Sequence, residues 1–280
     1  MNTDKILKEF SEDYLYGKID TKKFMDDMGK EKWIEFFLGN LGNPNSLIRE
    51  NVCNLINPDC LTDEECIHII NVCLGDTHLF NGLGTKDNDT VFWRSFPSLT
   101  IGYLIGIDTE RNFLSQEQYL LALDKAIQYM KTEVDRRGFI KGKGWAHAVS
   151  HGADMIAYFV KNPKFPMERK ECVLESIKVH LLSGEKFVDG DEKRLSAIII
   201  SLLEKGMSET VLKEWLESLI PRVTATIYTD EYYEESSSRS TLINFVLAIH
   251  FTLSDSETNN DLRKFLKEYD ASFWSKMKSD

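Results

Sequence analysis

Gly142-Lys-Gly-Trp-Ala-His-Ala-Val-Ser-His-Gly-Ala-Asp154 is the stretch on which the reading of this chain turns. Taken as a helix advancing about 100° per residue, it gathers His147, His151 and Asp154 within an arc of roughly 60°, with Ser150 beside them and Tyr158 continuing the face. Trp145, Val149, Ile156 and Phe159 then point the opposite way. The apolar side anchors such a helix, and imidazole, carboxylate and phenol are presented from the other. Solvated faces elsewhere carry Lys205, Glu209, Lys213 and Glu217 instead, so the histidine face reads as the lining of a polar pocket.

Working outward, the same helical period dominates the chain, with apolar residues three and four apart and breaks at Gly, Asn, Pro and Asp. It predicts helices over 4–16, 21–28, 31–40, 46–56, 62–74, 90–105, 115–134, 144–160, 167–182, 192–205, 209–228, 239–253 and 257–277, and no strand. Ser115 with Gln118 has capping-box spacing, and Thr62 precedes Glu64 and Glu65 where carboxylates favour the helix dipole. Short connections between helices of similar length imply an all-α fold of antiparallel helix pairs in a curved array, an α/α superhelix of the HEAT-like solenoid or toroid-like kind. No fixed repeat is legible and no Pro/Gly/Ser-rich linker divides the chain, so 1–280 reads as a single domain. Gly75–Asp89, with Gly82, Gly84 and Asn88, is the expected mobile loop.

Composition narrows the partners. With 45 acidic against 34 basic residues, long-range electrostatics disfavour nucleic acid and anionic membranes. The apolar run at 99–107 is too short to span a bilayer, and the charged first ten residues do not read as a secretory signal. Five cysteines without paired metal-knuckle spacing read as buried thiols of a reducing cytoplasm.

His147 and His151 stand one helical turn apart, from which two imidazoles can converge on one ion, and Asp154 could add an oxygen. Ala148 occupies the place where a zinc protease of the His-Glu type needs Glu, so that chemistry is excluded. No third ligand is fixed by spacing and no cofactor is expected. A divalent cation on His147, His151 and Asp154 is the one such role left open. Ahead of this helix, Gly138 suits a left-handed helix stop, and Lys141-Gly-Lys-Gly144 reads either as a hairpin connection or as an anion site at a helix start. Arg94 sits among Phe92, Trp93 and Phe96, with Pro97 expected to kink the helix. Asp191 and Glu192 suit a helix start for dipole reasons, while Glu192 and Arg194 could also face a pocket.

The run Asp135-Arg-Arg-Gly-Phe-Ile-Lys-Gly-Lys-Gly-Trp-Ala-His-Ala-Val-Ser-His-Gly-Ala-Asp154, with Phe92-Trp-Arg-Ser-Phe96 and Asp191-Glu-Lys-Arg-Leu195, resembles an uncharacterised bacterial family known as domain of unknown function 2785. The resemblance rests on Arg94, Gly144, Trp145, His147, His151, Asp154, Glu192 and Arg194. It implies an all-helical bacterial cytoplasmic protein and carries no assigned reaction. Ser150 stands where that family more often has Ala.

Three functions fit these residues. A binding protein would hold a small polar or peptide ligand with His147, His151 and Asp154, aided by Arg94, Trp145, Glu192 and Arg194. A hydrolase-like enzyme would use His147 or His151 as general base, Asp154 to orient the imidazole, and Arg94 or Arg194 to hold an anion. A scaffold would use the same groups as a buried polar network.

Overall fold

The computed structural model describes residues 20–219 and 229–253, together with 260, 262–264 and 267. The helix read at 4–16 lies outside the described residues, as do most of that at 257–277 and the end of that at 209–228. Two compact units, residues 1–164 and 165–280, divide the chain.

The protein is all-α. The first unit contains α1 (Thr21–Met28), α2 (Lys30–Leu38), α3 (Ser46–Asn54), α4 (Asp63–Cys73), α5 (Thr90–Arg111), α6 (Gln116–Thr132) and α7 (Ala148–Lys161). Four of its helix starts are set by side chains that accept otherwise unpaired N–H groups. Asp20 caps α1 and Asn45 caps α3, while Thr62 with Glu65 and Ser115 with Gln118 form the capping boxes of α4 and α6.

Helix α6 runs antiparallel to α7, since Tyr119 near its start donates to the Phe159 carbonyl at 2.6 Å and Tyr129 near its end donates to that of Ala148 at 2.9 Å. The most extensive packing, however, joins α5 to α7, and these two are parallel. Ser95 meets His151 at one end, and Asn162 donates to the Ile105 carbonyl at the other. Antiparallel pairing of neighbours in sequence therefore coexists with a parallel pair of alternate helices. Gly102 permits this closeness, because a Cβ there would lie 2.9 Å from the Met155 Cα. Around the contact Phe92, Tyr119, Tyr129 and Phe159 are fully buried, each contributing about 1.5–3 kcal/mol.

Several sequence expectations need correction. Helix α5, which contains Pro97 as expected, runs past residue 105 to Arg111 and ends on the left-handed Asn112. Helix α6 stops at Thr132 with Glu133 as C-cap, and Gly138 is not left-handed. The helix expected from Gly144 starts only at Ala148, because Phe139–Ile140 (β1) and Gly144–Trp145 (β2) pair as an antiparallel hairpin, Phe139 opposite Trp145. Gly142 at φ 80° and Gly144 at φ 76° make that turn. The 75–89 loop is strapped down: Arg94 donates to the carbonyls of Asn81, Gly82 and Thr85, Arg137 to that of Asn88, and Lys143 to both carboxylate oxygens of Asp89.

The second unit contains α8 (Lys170–Leu181), α9 (Asp191–Glu204), α10 (Glu209–Ser218) and α11 (Asp230–Thr252), with its largest contact between α9 and α11. Helix α11 begins nine residues earlier than periodicity suggests, at Asp230 where 239 was expected, because Thr229 caps it and its serines are partly inward-facing. Ser238 accepts from the Gly184 N–H at 3.0 Å. Among the described residues no helix is long and apolar enough to cross a membrane.

Candidate functional site

The site is assembled from three helices and the hairpin of the first unit. Positions three and four apart on α3 bring Glu50, Cys53 and Asn54 to one face, and the same spacing on α5 brings Phe96 and Leu99. With Trp145, His147 and His151 they line a cavity of about 140 Å³.

His147 is held by the turn between β2 and α7. Ala146 and His147 donate their N–H groups to the carbonyls of Gly138 and Arg137, and the His147 carbonyl accepts the first α7 bond from His151. These bonds place His147 at φ 52°, ψ 35°, left-handed and immediately before the helix, a conformation costing an L-residue roughly 1–2 kcal/mol. Its ring stacks on Trp145 at 4.4 Å and 9°, and lies 5.7 Å from that of His151. Trp145 thus faces the cavity with the histidines, whereas a continuous helix would have turned it away.

His151 is oriented from α5. The Ser95 hydroxyl donates its only proton to the Ala146 carbonyl, so it must accept from His151 Nδ1, 2.9 Å away. In the neutral imidazole Nε2 therefore carries the lone pair. Phe96 closes on the same ring edge-on, at 5.4 Å and 88°.

Beneath the hairpin lies Arg49, fully buried. Its guanidinium donates to the carbonyls of Asn43 at 2.7 Å, Lys143 at 2.6 Å and Trp145 at 3.2 Å. It sits 3.9 Å from the Phe92 ring centroid. Burial lowers its pKa to about 10, which leaves it cationic at neutral pH. Burial likewise pushes the Glu50 carboxyl above its ordinary value, and Arg49, the Trp145 N–H and His147 offset this only in part. The Cys53 thiol is pushed up to about 12, chiefly by burial and then by Glu50, so it is no thiolate nucleophile at neutral pH.

The Glu50 shift carries a sign. A carboxyl whose folded pKa exceeds its unfolded one holds more protons when folded, so its contribution to stability is lost as pH rises above 4.5. Glu50→Gln is expected to melt higher than the parent at pH about 7, the gap closing as pH falls to about 4. Thermal unfolding across that range checks it, and a gap that widened toward acid would contradict the assignment.

The family model described as protein of unknown function DUF2785 matches residues 79–251. This chain belongs to that family. Among curated proteins no match was found, and none among solved structures. The DUF2785 match takes in Ser95, Phe96, Leu99, Trp145, His147 and His151, while Glu50, Cys53 and Asn54 precede it.

The other residues singled out in this DUF2785 sequence lie elsewhere. Arg94 is wholly buried, and all its donors are engaged: Nε and Nη2 on Glu133 at 2.6 and 3.1 Å, Nη1 on Thr90 and the Asn81 and Gly82 carbonyls, Nη2 also on the Thr85 carbonyl. It has no donor left for a ligand. Asp154, on the next turn of α7, is half-buried and does not line the cavity. Ser150 is buried. Glu192 and Arg194 belong to the second unit, where Glu192 is buried and accepts from Asn244 at 3.2 Å, and Arg194 is exposed. The anion-site reading of Lys143 fails because its ammonium is engaged by Asp89. Among the described residues no three His, Cys, Asp or Glu side chains form a group able to hold a metal ion.

Glu50, Asn54 and Ser95 were missed by sequence reasoning. Ser95 stood inside the quoted Phe92–Phe96 motif and carried that much signal. Glu50 and Asn54 carried none, being separated from the histidines by about a hundred residues of chain.

Proposed function

We propose that this protein binds a small polar ligand in the cavity bounded by Glu50, Trp145, His147 and His151. The observation carrying this is His147, a non-glycine residue held left-handed at the cavity wall with its ring stacked on Trp145. Strain of that kind persists where surrounding structure over-determines it, and it gathers at ligand sites. The volume, about 140 Å³, is near that of an engineered cavity that takes up benzene, which favours a small molecule or a single side chain over a length of peptide. Five free thiols support a reducing, cytoplasmic setting, and the acidic balance speaks against nucleic acid and anionic membrane as partners. A bacterial source accords with the family resemblance.

A second reading is favoured by Glu50 and His151 sharing one cavity, a carboxyl and an imidazole between which acid–base chemistry could run. There Ser95 is the positioning residue for the imidazole.

Ligand-observed NMR with a panel of small polar compounds tests the binding reading on the parent and on a His147→Asn, His151→Gln double variant. Asn tolerates the left-handed backbone, and Gln can still reach Ser95. Compounds that bind the parent are expected to lose detectable binding to a folded variant. Retention of every hit would overturn the site. Unfolding of the variant would assign these residues to a structural network instead.

A further inference from the structure

The wall chemistry of the cavity narrows the ligand further, a step that rests on the small-ligand reading above. Half of the eight lining side chains are planar rings. Trp145 lies parallel to His147, at 4.4 Å and 9°, and Phe96 meets His151 edge-on, at 5.4 Å and 88°. Leu99 and the protonated Cys53 thiol add no charge. Ring surface of this kind packs on a flat partner through offset stacking and edge contacts, which a puckered molecule makes less well.

Charge is balanced within the protein. Glu50 has the Arg49 guanidinium 3.8 Å away, accepts the Trp145 N–H and has His147 beside it. A cation therefore finds Glu50 already answered, and an anion finds it in the way, so a charged ligand is not repaid for leaving water. The polar group that stands uncommitted is Asn54. It is exposed at the end of α3, and among the described residues no hydrogen bond engages its carboxamide. A carboxamide presents an acceptor oxygen beside an N–H donor. Its complement is another amide edge, a carbonyl next to an N–H, joined by paired antiparallel hydrogen bonds that need no charge.

We infer that the cavity takes a neutral planar heterocycle with such a lactam edge, the ring lying against Trp145 and Phe96 and the edge paired with Asn54. A six-membered ring suits the volume of about 140 Å³, since a cavity near that size takes up benzene.

The test uses 2-pyridone. Its counterparts are 2-piperidone, with the same amide edge on a puckered ring, phenol, flat but without that edge, and the flat ions 1-methylpyridinium and 2-furoate. Binding is read from NMR shifts of the Trp145 indole and the Phe96 ring. The expected result is that 2-pyridone binds at least about tenfold more tightly than each counterpart. Asn54→Leu and Asn54→Asp, both at an exposed position, should stay folded and bring 2-pyridone down to the affinity of phenol. Binding of any counterpart as tight as that of 2-pyridone, or 2-pyridone binding unchanged in both Asn54 variants, overturns the inference and leaves the small-ligand reading standing. Failure of all five probes at the cavity resonances overturns the inference as well, while a hit from the polar panel that is lost in the double histidine variant would still uphold the reading.

Discussion

Arg94→Met is expected to lower the unfolding free energy by about 3–5 kcal/mol, a fall in Tm of roughly 10 °C for a chain of this size. The Arg94 and Glu133 side chains are both fully buried, and removing the guanidinium leaves a carboxylate in the interior without its cation, held by neutral donors such as the Val134 and Asp135 N–H groups at 2.9 and 2.8 Å. The same change strips donors from the Asn81, Gly82 and Thr85 carbonyls, so amides of the 75–89 strap should exchange faster by hydrogen–deuterium exchange. Arg94→Lys should rescue little, because one ammonium with three donors cannot serve a carboxylate, a hydroxyl and three carbonyls spread around a planar fork. Chemical denaturation decides the matter. A loss below about 1 kcal/mol would mean that the pair behaves as a solvated one and that the strap is held by other means.

The second large effect is expected at Gly144. At φ +76°, a side chain is strained whatever the space, and here a Cβ would also lie 2.7 Å from the Ser46 Cβ and 3.2 Å from Arg49 Nη2. Gly144→Val should therefore cost about 1–2 kcal/mol of backbone strain and a further ~1–3 kcal/mol of overpacking. Gly142 supplies the control, since at φ +80° a Cβ there would meet nothing within 4 Å, so Gly142→Ala should show the backbone cost alone. The Gly144 variant should also displace Trp145 from His147 and abolish cavity binding. Equal destabilisation by the two substitutions would show that the hairpin does not rest on α3 as closely as described.

The helices were legible because each carries its own evidence. The Ser115/Gln118 and Thr62/Glu65 boxes act within four residues, and an apolar stripe such as that of α7 repeats every turn, so local chemistry suffices to place them. The hairpin at 139–145 was not legible as strand. Two-residue strands have no period to read, and Gly142 and Gly144 looked equally suited to a helix start. Arg94 shows the opposite failure. A guanidinium among aromatics was noticed, but its partners Glu133 and the 81–85 carbonyls lie 39 and about a dozen residues away in sequence, and sequence spacing cannot separate an arginine that waits for a ligand from one already saturated.

What the sequence determined by itself is therefore the all-α class and the caps, because each follows from interactions within one or two turns of chain; His147 does lie beside His151, but on a hairpin turn and not on the continuous helix that the spacing implied. What only tertiary structure decided is the composition of the cavity: Trp145 brought to its wall, still partly exposed, beside the left-handed His147, the tautomer of His151 set by Ser95, and Glu50 on α3 lining the same cavity. Those relations depend on the docking of α3 and the parallel approach of α5 and α7 across Gly102. Such contacts between distant segments are fixed by packing volume and buried hydrogen bonds, and these leave no periodic mark in the chain.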